Sequence, residues 1–270
     1  ELTGLYYIWK NIDEDIVGTC HYRRYLLASE DRLLTKSDIT GVLQTHDLIT
    51  TKTLLLNFPY YDAFGENHKI FYLDETAKVI RDLYPADADV FDRLCREPHT
   101  YFGNMLIAKK PLYDDYCAWL FSILFELDRR IEIDEPDSYH RRIYGFLSEF
   151  LLYVWANARH LRVYECKVGM VGEKAEVTAV KDGLRTYFKN GDYKGAREYF
   201  LSEKAKRPDI TMEASDITGE LHLSMQVIAT AGLEDRVYGT HILERITDFD
   251  KLMRYFSTLN RFTVARLNGA

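Results

Sequence analysis

Short apolar runs of strand length alternate with longer stretches of helical spacing along the first two thirds of the chain, and then the alternation stops. ELTGLYYIWKN carries apolar residues at 2, 5, 6, 8 and 9, one face of a helix. DIVGTC (15–20) and HDLITTK (46–52) read as strands, with a short helix starting at Ser37-Asp38 between them. LDETAKVIRDLYP and DADVFDRLCREP read as helices, each closed by a proline. FGNMLIAK (102–109) is a third strand, and PLYDDYCAWLFSILFELDRR a long helix opened by Pro111, whose missing amide hydrogen is not needed there. SYHRRIYGFLSEFLLYVWANARH (138–160) is the next helix and RVYECKV (162–168) the last strand. Such an order predicts the α/β class, with a mostly parallel sheet flanked by helices.

Beyond VGEKAE only the helical pattern persists. TAVKDGLRTYFKNGDYKGAREYFLSEKAKRPD pairs two helices around Asn190-Gly191-Asp192, in the manner of one tetratricopeptide hairpin, with no second copy at that period. The expected division is therefore an α/β domain over 1–172 and an α-helical appendage over 173–270.

Several function classes are disfavoured by composition. With 270 residues, 47% of them hydrophobic, the chain can bury one large core or a core plus an appendage. A formal net charge of −7 argues against a general nucleic-acid binder, which needs a broad basic surface to release counterions. LLYVW (151–155) is far short of a membrane span, and there is no apolar run of about 18 residues. Cys20, Cys95, Cys117 and Cys166 are scattered without a CxxC pair, as expected of reduced thiols in a cytoplasm. The chain opens at Glu1 with no signal-peptide pattern.

Against that acidic background, CHYRRYLL (20–27) stands out. It places His21, Tyr22, Arg23 and Arg24 where the 15–20 strand ends, and open α/β sheets bind ligands beyond the carboxyl ends of their strands. Guanidinium groups match phosphate oxygens in shape and charge, so a small anionic ligand is expected. The competing reading is that neighbours in an extended segment point oppositely. One arginine would then face the site while the other pairs with Asp13, Glu14 or Asp15.

DIVGTCHYRRYL, FGNMLIAKKPLYDDYCAWLFSIL and RRIYGFLSEFLLYVW, preceded by ELTGLYYIWKN, together resemble a bacterial capsular-polysaccharide domain family of formerly unknown function, linked to galactofuranosyl transfer. The likeness covers about residues 1–168. It implies a glycosyltransferase of the A-type nucleotide-sugar fold that moves a sugar, galactofuranose in this family, from a uridine diphosphate donor to a polysaccharide or lipid-linked glycan. The expected place is the cytoplasm at the inner face of a membrane, with peripheral association. Family members carry a further strand before the point where this sequence begins.

Under that resemblance each candidate acquires a role. Many A-type transferases hold a divalent metal with an Asp-x-Asp pair; His-Tyr-Arg stands at that place here, so Arg23 and Arg24 are expected to neutralise the diphosphate without a metal or other cofactor. Asp87-Ala88-Asp89 has the spacing but sits at a helix start, where capping is the expected role. Inverting transfer needs a base for the acceptor hydroxyl. Glu149 is the first candidate, on a helical face with Arg142, Gly145 and Phe146, against a salt bridge to Arg141 or Arg142. Asp74 is the second, against capping the helix that follows it. Arg142 and Asn104 are expected at the donor and His68 at a donor or acceptor sugar, against a strand-turn cap for Asn104 and a surface position for His68. A glycoside hydrolase using Glu149 and Asp74, or a scaffold with a degenerate transferase domain, are the alternatives.

Overall fold

The structure is a computed structural model that describes residues 2–135, 137, 139–211 and 215–267. Glu1 and Ser138, the expected first residues of two helices, lie outside the described residues. The chain divides into two compact units, Glu1–Val171 and Gly172–Ala270.

The first unit opens with helix α1 (Leu2–Asn11), which buries Leu5. Strands β1 (Ile16–Thr19), β2 (Arg24–Ser29) and β3 (Arg32–Leu33) come next, then α2 (Lys36–Val42) and β4 (Leu48–Thr51). Thr35 and Asp38 close a reciprocal capping box at the start of α2, so two otherwise unpaired amides are satisfied. Strand β5 (Leu54–Leu55), helices α3 (Tyr60–Gly65), α4 (Ile70–Leu83) and α5 (Pro85–Cys95), and strand β6 (His99–Thr100) form the next block. Strand β7 (Leu106–Lys109), helices α6 (Lys110–Arg130) and α7 (Ile143–Ala158), and strand β8 (Val163–Met170) complete the unit.

Six strands lie in the order β1-β7-β4-β8-β2-β3, and β5 pairs with β6 apart from them. The α/β class holds, but the strand directions are mixed rather than mostly parallel. Among the described residues only β4 and β8 run parallel. The β1–β7, β4–β7, β2–β8 and β2–β3 pairs are antiparallel. Two features explain the difference. RYLLAS turns back on itself at Glu30-Asp31 into a hairpin, and the long connection from β4 to β7 leaves the return direction open, as a short single-helix crossover would not. Close contact also restricts β1: a Cβ on Gly18 would lie 2.6 Å from Ile107 Cγ1 and 2.8 Å from the Leu106 carbonyl oxygen.

The central strand β4, LITT, is buried along its whole length. Helix α7 is almost as enclosed, with Ile143, Leu147, Phe150, Leu151, Val154 and Trp155 among its buried residues. Its sequence is apolar on all sides, which suits a helix walled in by α5, α6 and β6 rather than one lying on a surface. Two expected boundaries move. The 102–109 strand begins only at Leu106, because Gly103 (φ 100°) and Asn104 (φ 47°) are left-handed and break the extended run. The 138–160 helix is regular only from Ile143, after a 3-10 turn at His140–Arg142.

The second unit contains α8 (Ala175–Lys189), α9 (Tyr193–Lys206), α10 (Glu220–Tyr238) and α11 (Phe249–Leu267), with short 3-10 turns between. Gly191 (φ 68°) makes the α8–α9 turn, and Asp192 caps α9 by accepting from the Gly195 amide at 2.8 Å. Val177, Leu184, Phe188, Phe200, Leu221 and Leu252 lie in its core. Among the described residues no helix is long and apolar enough to cross a membrane.

Candidate active site

Four of the expected residues, His21, Arg24, Asn104 and Glu149, meet at residues 102–105, the irregular segment before β7. Three threonines at strand ends hold this segment by its carbonyl oxygens. Thr51 Oγ1 donates to Phe102 O (3.1 Å), Thr19 Oγ1 to Asn104 O (3.2 Å) and Thr50 Oγ1 to Met105 O (2.6 Å). The remaining carbonyl, that of Gly103, is bonded to His21 Nε2. The Gly103 amide donates to Glu149 Oε1 at 2.9 Å, and Asn104 Nδ2 donates to the Gly145 carbonyl at 3.1 Å. Thus β1, β4 and α7 clamp one left-handed turn from three sides. Only glycine adopts φ near 100° without strain, so the turn demands Gly103.

The two arginines diverge, as alternation along an extended chain requires. Arg24 Nη1 lies toward the turn, 3.7 Å from where a Cβ on Gly103 would be. Arg23 turns away, its Nε donating to the Val171 carbonyl at 3.3 Å and its guanidinium 5.9 Å from the Tyr22 ring centre. Tyr22 is largely solvent-exposed, an aromatic face beside the Arg23 guanidinium. Arg142 lies in the 3-10 turn before α7, its guanidinium 5.7 Å from the centre of the Phe146 ring, on which His68 stacks. Tyr60 stacks on Phe150 at 3.7 Å; burial, and then the nearby Glu149 carboxylate, raise its phenol far above the ordinary range, so it stays protonated.

Asp74 and His68 belong elsewhere on the α3–α4 side. Asp74 lies inside α4 rather than at its start, so it does not cap that helix; it accepts from Tyr61 Oη at 3.1 Å and lines a cavity of about 620 Å³ with Arg81, Asp92 and Arg96. The two candidate carboxylates thus have different partners, Gly103 for Glu149 and Tyr61 for Asp74. His68 is not a surface residue. It stacks on Phe146 (4.3 Å) and Phe64 (5.0 Å) and borders a cavity of about 790 Å³ with Glu135, Asp137 and His140. Burial, and then the neighbouring His140, lower its pKa to about 4, so the imidazole is neutral at pH 7.

The metal-type pair Asp87-Ala88-Asp89 does not fit a cation. Asp87 is buried and makes no cap; one oxygen accepts from Trp119 Nε1 (2.9 Å) and the other from Arg159 Nη1 (2.8 Å). Both oxygens are committed to tying α5 to α6 and to the end of α7.

Sequence reasoning missed Gly103 and the threonines. Gly-Asn in YFGNM is a turn signal that overrides the strand pattern around it. Thr19, Thr50 and Thr51 gave no comparable signal, since threonine in a strand is ordinary.

A family model described as "Domain of unknown function (DUF4422)" matches residues 1–160. Among solved structures, the apo form of the WbbM bifunctional glycosyltransferase matches with a TM-score of 0.59 at 24% sequence identity. That match covers 64% of this chain and 36% of the other, a likeness of fold to about a third of the larger protein. No curated protein matches.

Proposed function

The chain belongs to the DUF4422 family, and from that premise we propose that it is a glycosyltransferase. The observation that carries this reading is the convergence of His21, Arg24 and Glu149 on the Gly103 turn, at the carboxyl end of β1, in a fold shared with a glycosyltransferase. The donor in this reading is a uridine diphosphate sugar, with galactofuranose taken from the family resemblance. The acceptor is a hydroxyl of a cell-surface polysaccharide or lipid-linked glycan, and the transfer inverts the anomeric centre.

As the bond between the sugar and the diphosphate breaks, the departing diphosphate gains negative charge. Arg24, with Arg23 as an outer contact, stabilises that charge through guanidinium hydrogen bonds. The acceptor oxygen attacks the anomeric carbon from the opposite face, and its proton passes to Glu149. No step is routed through a metal. Asn104, Arg142 and His68 shape the surroundings, and Asp74 is the reserve candidate for the base.

A second reading of Glu149 has its own observation. Its Oε1 accepts from the Gly103 amide, so the residue also positions the turn. Glutamine keeps an oxygen acceptor there and removes only the base, whereas alanine removes both. Calorimetry with a uridine diphosphate sugar, followed by transfer to a glycan acceptor, tests the function as a whole. Absence of both binding and transfer with every uridine diphosphate hexose tried would overturn it in favour of a scaffold.

A further inference from the structure

Two cavities of the first unit adjoin across one short helix. The larger, of about 790 Å³, and its neighbour of about 620 Å³ are both lined by Tyr61 and Asp62, and each has the size that holds a small-molecule ligand. Helix α3 makes the shared wall because its residues divide by face. Tyr60 and Phe64, four apart, are buried, while Tyr61, Asp62 and Gly65 are left on the outer side. A groove therefore follows the outside of α3, from His68 at one end to Arg81 and Arg96 at the other. His68 stacks on Phe146 at 4.3 Å, and Phe146 shares a face of α7 with Glu149, three residues on. One end of the groove is thus a single ring away from the helix face that carries the proposed base.

Charge indicates what the occupant is. Asp62, Glu66, Glu135 and Asp137 border the larger cavity, against Lys69, which pairs with Glu135 at 3.2 Å, and His140, which pairs with Asp137 at 2.7 Å. A nucleotide or a uronate would meet an excess of carboxylates there. His68, neutral at pH 7, offers a donor nitrogen and an acceptor nitrogen, as a hydroxyl requires. In the smaller cavity Lys78, Arg81 and Arg96 balance Asp62, Asp74 and Asp92. Arg81 is bonded to Asp92 at 2.8 Å, whereas the exposed Arg96 makes no side-chain hydrogen bond or ion pair among the described residues. Between the two cavities the Tyr61 ring, 39% exposed, offers an apolar platform. An aromatic face flanked by hydrogen-bonding groups, without an excess of cations, fits a neutral sugar, whose C–H face packs on the ring while its hydroxyls take the polar contacts.

We propose that the groove along α3 binds a neutral glycan chain of several sugar residues, the acceptor of the reaction proposed above. The attacking end of that chain lies toward His68 and Phe146, a middle residue packs on Tyr61, and a distal residue bonds Arg96. Glycan binding stands on these side chains alone, while its role as acceptor rests on the transferase reading.

An array of neutral and uronate-bearing glycans, from monosaccharides to hexasaccharides, probed with the whole chain and followed by calorimetry on those bound, tests it. Neutral chains of intermediate length should bind about tenfold or more tightly than the matching monosaccharides, and than uronate-bearing chains of the same length. Tyr61→Ala should weaken the longer chains about tenfold, and Tyr61→Phe, which keeps the ring, should bind them as the native chain does. Arg96→Gln should weaken only the chains long enough to reach it, by about fivefold. Affinity that does not grow with chain length, a preference for uronate-bearing chains, or native affinity in Tyr61→Ala overturns the proposal. So does a chain that binds a uridine diphosphate sugar by calorimetry but no glycan on the array. Glycan binding of the expected pattern without any uridine diphosphate sugar binding supports the groove and removes the transferase reading instead.

Discussion

In the first unit the Gly103 turn is held mainly by hydroxyl and amide donors, those of Thr19, Thr50, Thr51 and Asn104, with His21 Nε2 on the Gly103 carbonyl and the Glu149 carboxylate accepting from the Gly103 amide. In the second unit the fastenings are ionic. Lys181, 4% exposed, donates to Glu173 and Glu220 at 2.6 Å each and to the Thr218 hydroxyl. Asp209 accepts from Lys174 and Arg207, and Arg185 reaches Asp250 at 2.8 Å. The contrast teaches how the placement of charge differs between a fastening and a site. Ions that satisfy one another lock helices together, whereas hydroxyl and amide donors pin a loop by its carbonyl oxygens.

The comparison is broken most directly at Lys181. Lys181→Ala leaves two carboxylates facing each other with no cation, and should destabilise the second unit by about 3–5 kcal/mol. Urea unfolding followed in that unit's signal checks it, and a loss under about 1 kcal/mol would mean the cluster is solvated rather than locked.

Next comes the turn. Glu149→Gln should lower turnover by about two orders of magnitude with donor affinity nearly unchanged, because the amide oxygen still accepts from Gly103 while the base is gone. Glu149→Ala should also weaken donor binding, since the turn loses its anchor. Equal, normal turnover in both variants moves the base to Asp74, and Asp74→Asn then becomes the inactive form.

A smaller effect separates the two arginines. Arg24→Ala should weaken uridine diphosphate binding about tenfold, as expected for one lost charge-assisted bond. Arg23→Ala should weaken it less, because Arg23 is turned toward the Val171 carbonyl. Calorimetry giving the reverse order would show that the loop rearranges around the donor.

The least effect is the pH response, which has the same sign in the two units, a loss of stability on acidification, but a different window. His68 binds its proton less readily folded, with its pKa lowered to about 4, than unfolded, where the value is near 6.5. The first unit therefore loses stability as pH falls from about 6.5 to about 4, and His68→Phe removes that slope. In the second unit, burial pushes Glu173 and Asp209 upward, but hydrogen bonds from Lys181 and Thr218 to Glu173, and from Arg207 and Lys174 to Asp209, outweigh it and hold both below their ordinary values. Their contribution is complete above the unfolded carboxylate values near 4 and is lost only as pH falls below them. Thermal melts from pH 7 to pH 3 should show the first unit weakening before the second.

From the sequence alone, period and punctuation determined the helices, most strand positions and the helical character of the last hundred residues. Spacing of 3.6 or 2 is a local property, and so are the proline at the start of α6 and the Asn-Gly-Asp turn before α9. HYRRY was conspicuous for a related reason, as a cationic run placed just after a strand in an acidic chain. Strand direction was not legible, because a long connection permits either sense, and only packing against β4 chose an antiparallel β7. Nor was the core of the site. Gly103 and three ordinary threonines become significant only when β1, β4 and α7, separated by up to about 130 residues of chain, enclose one turn. Asp87 makes the same point from the other side. Its spacing resembles a metal motif, yet Trp119 and Arg159 occupy both of its oxygens, and tertiary contact decides what a carboxylate is free to do.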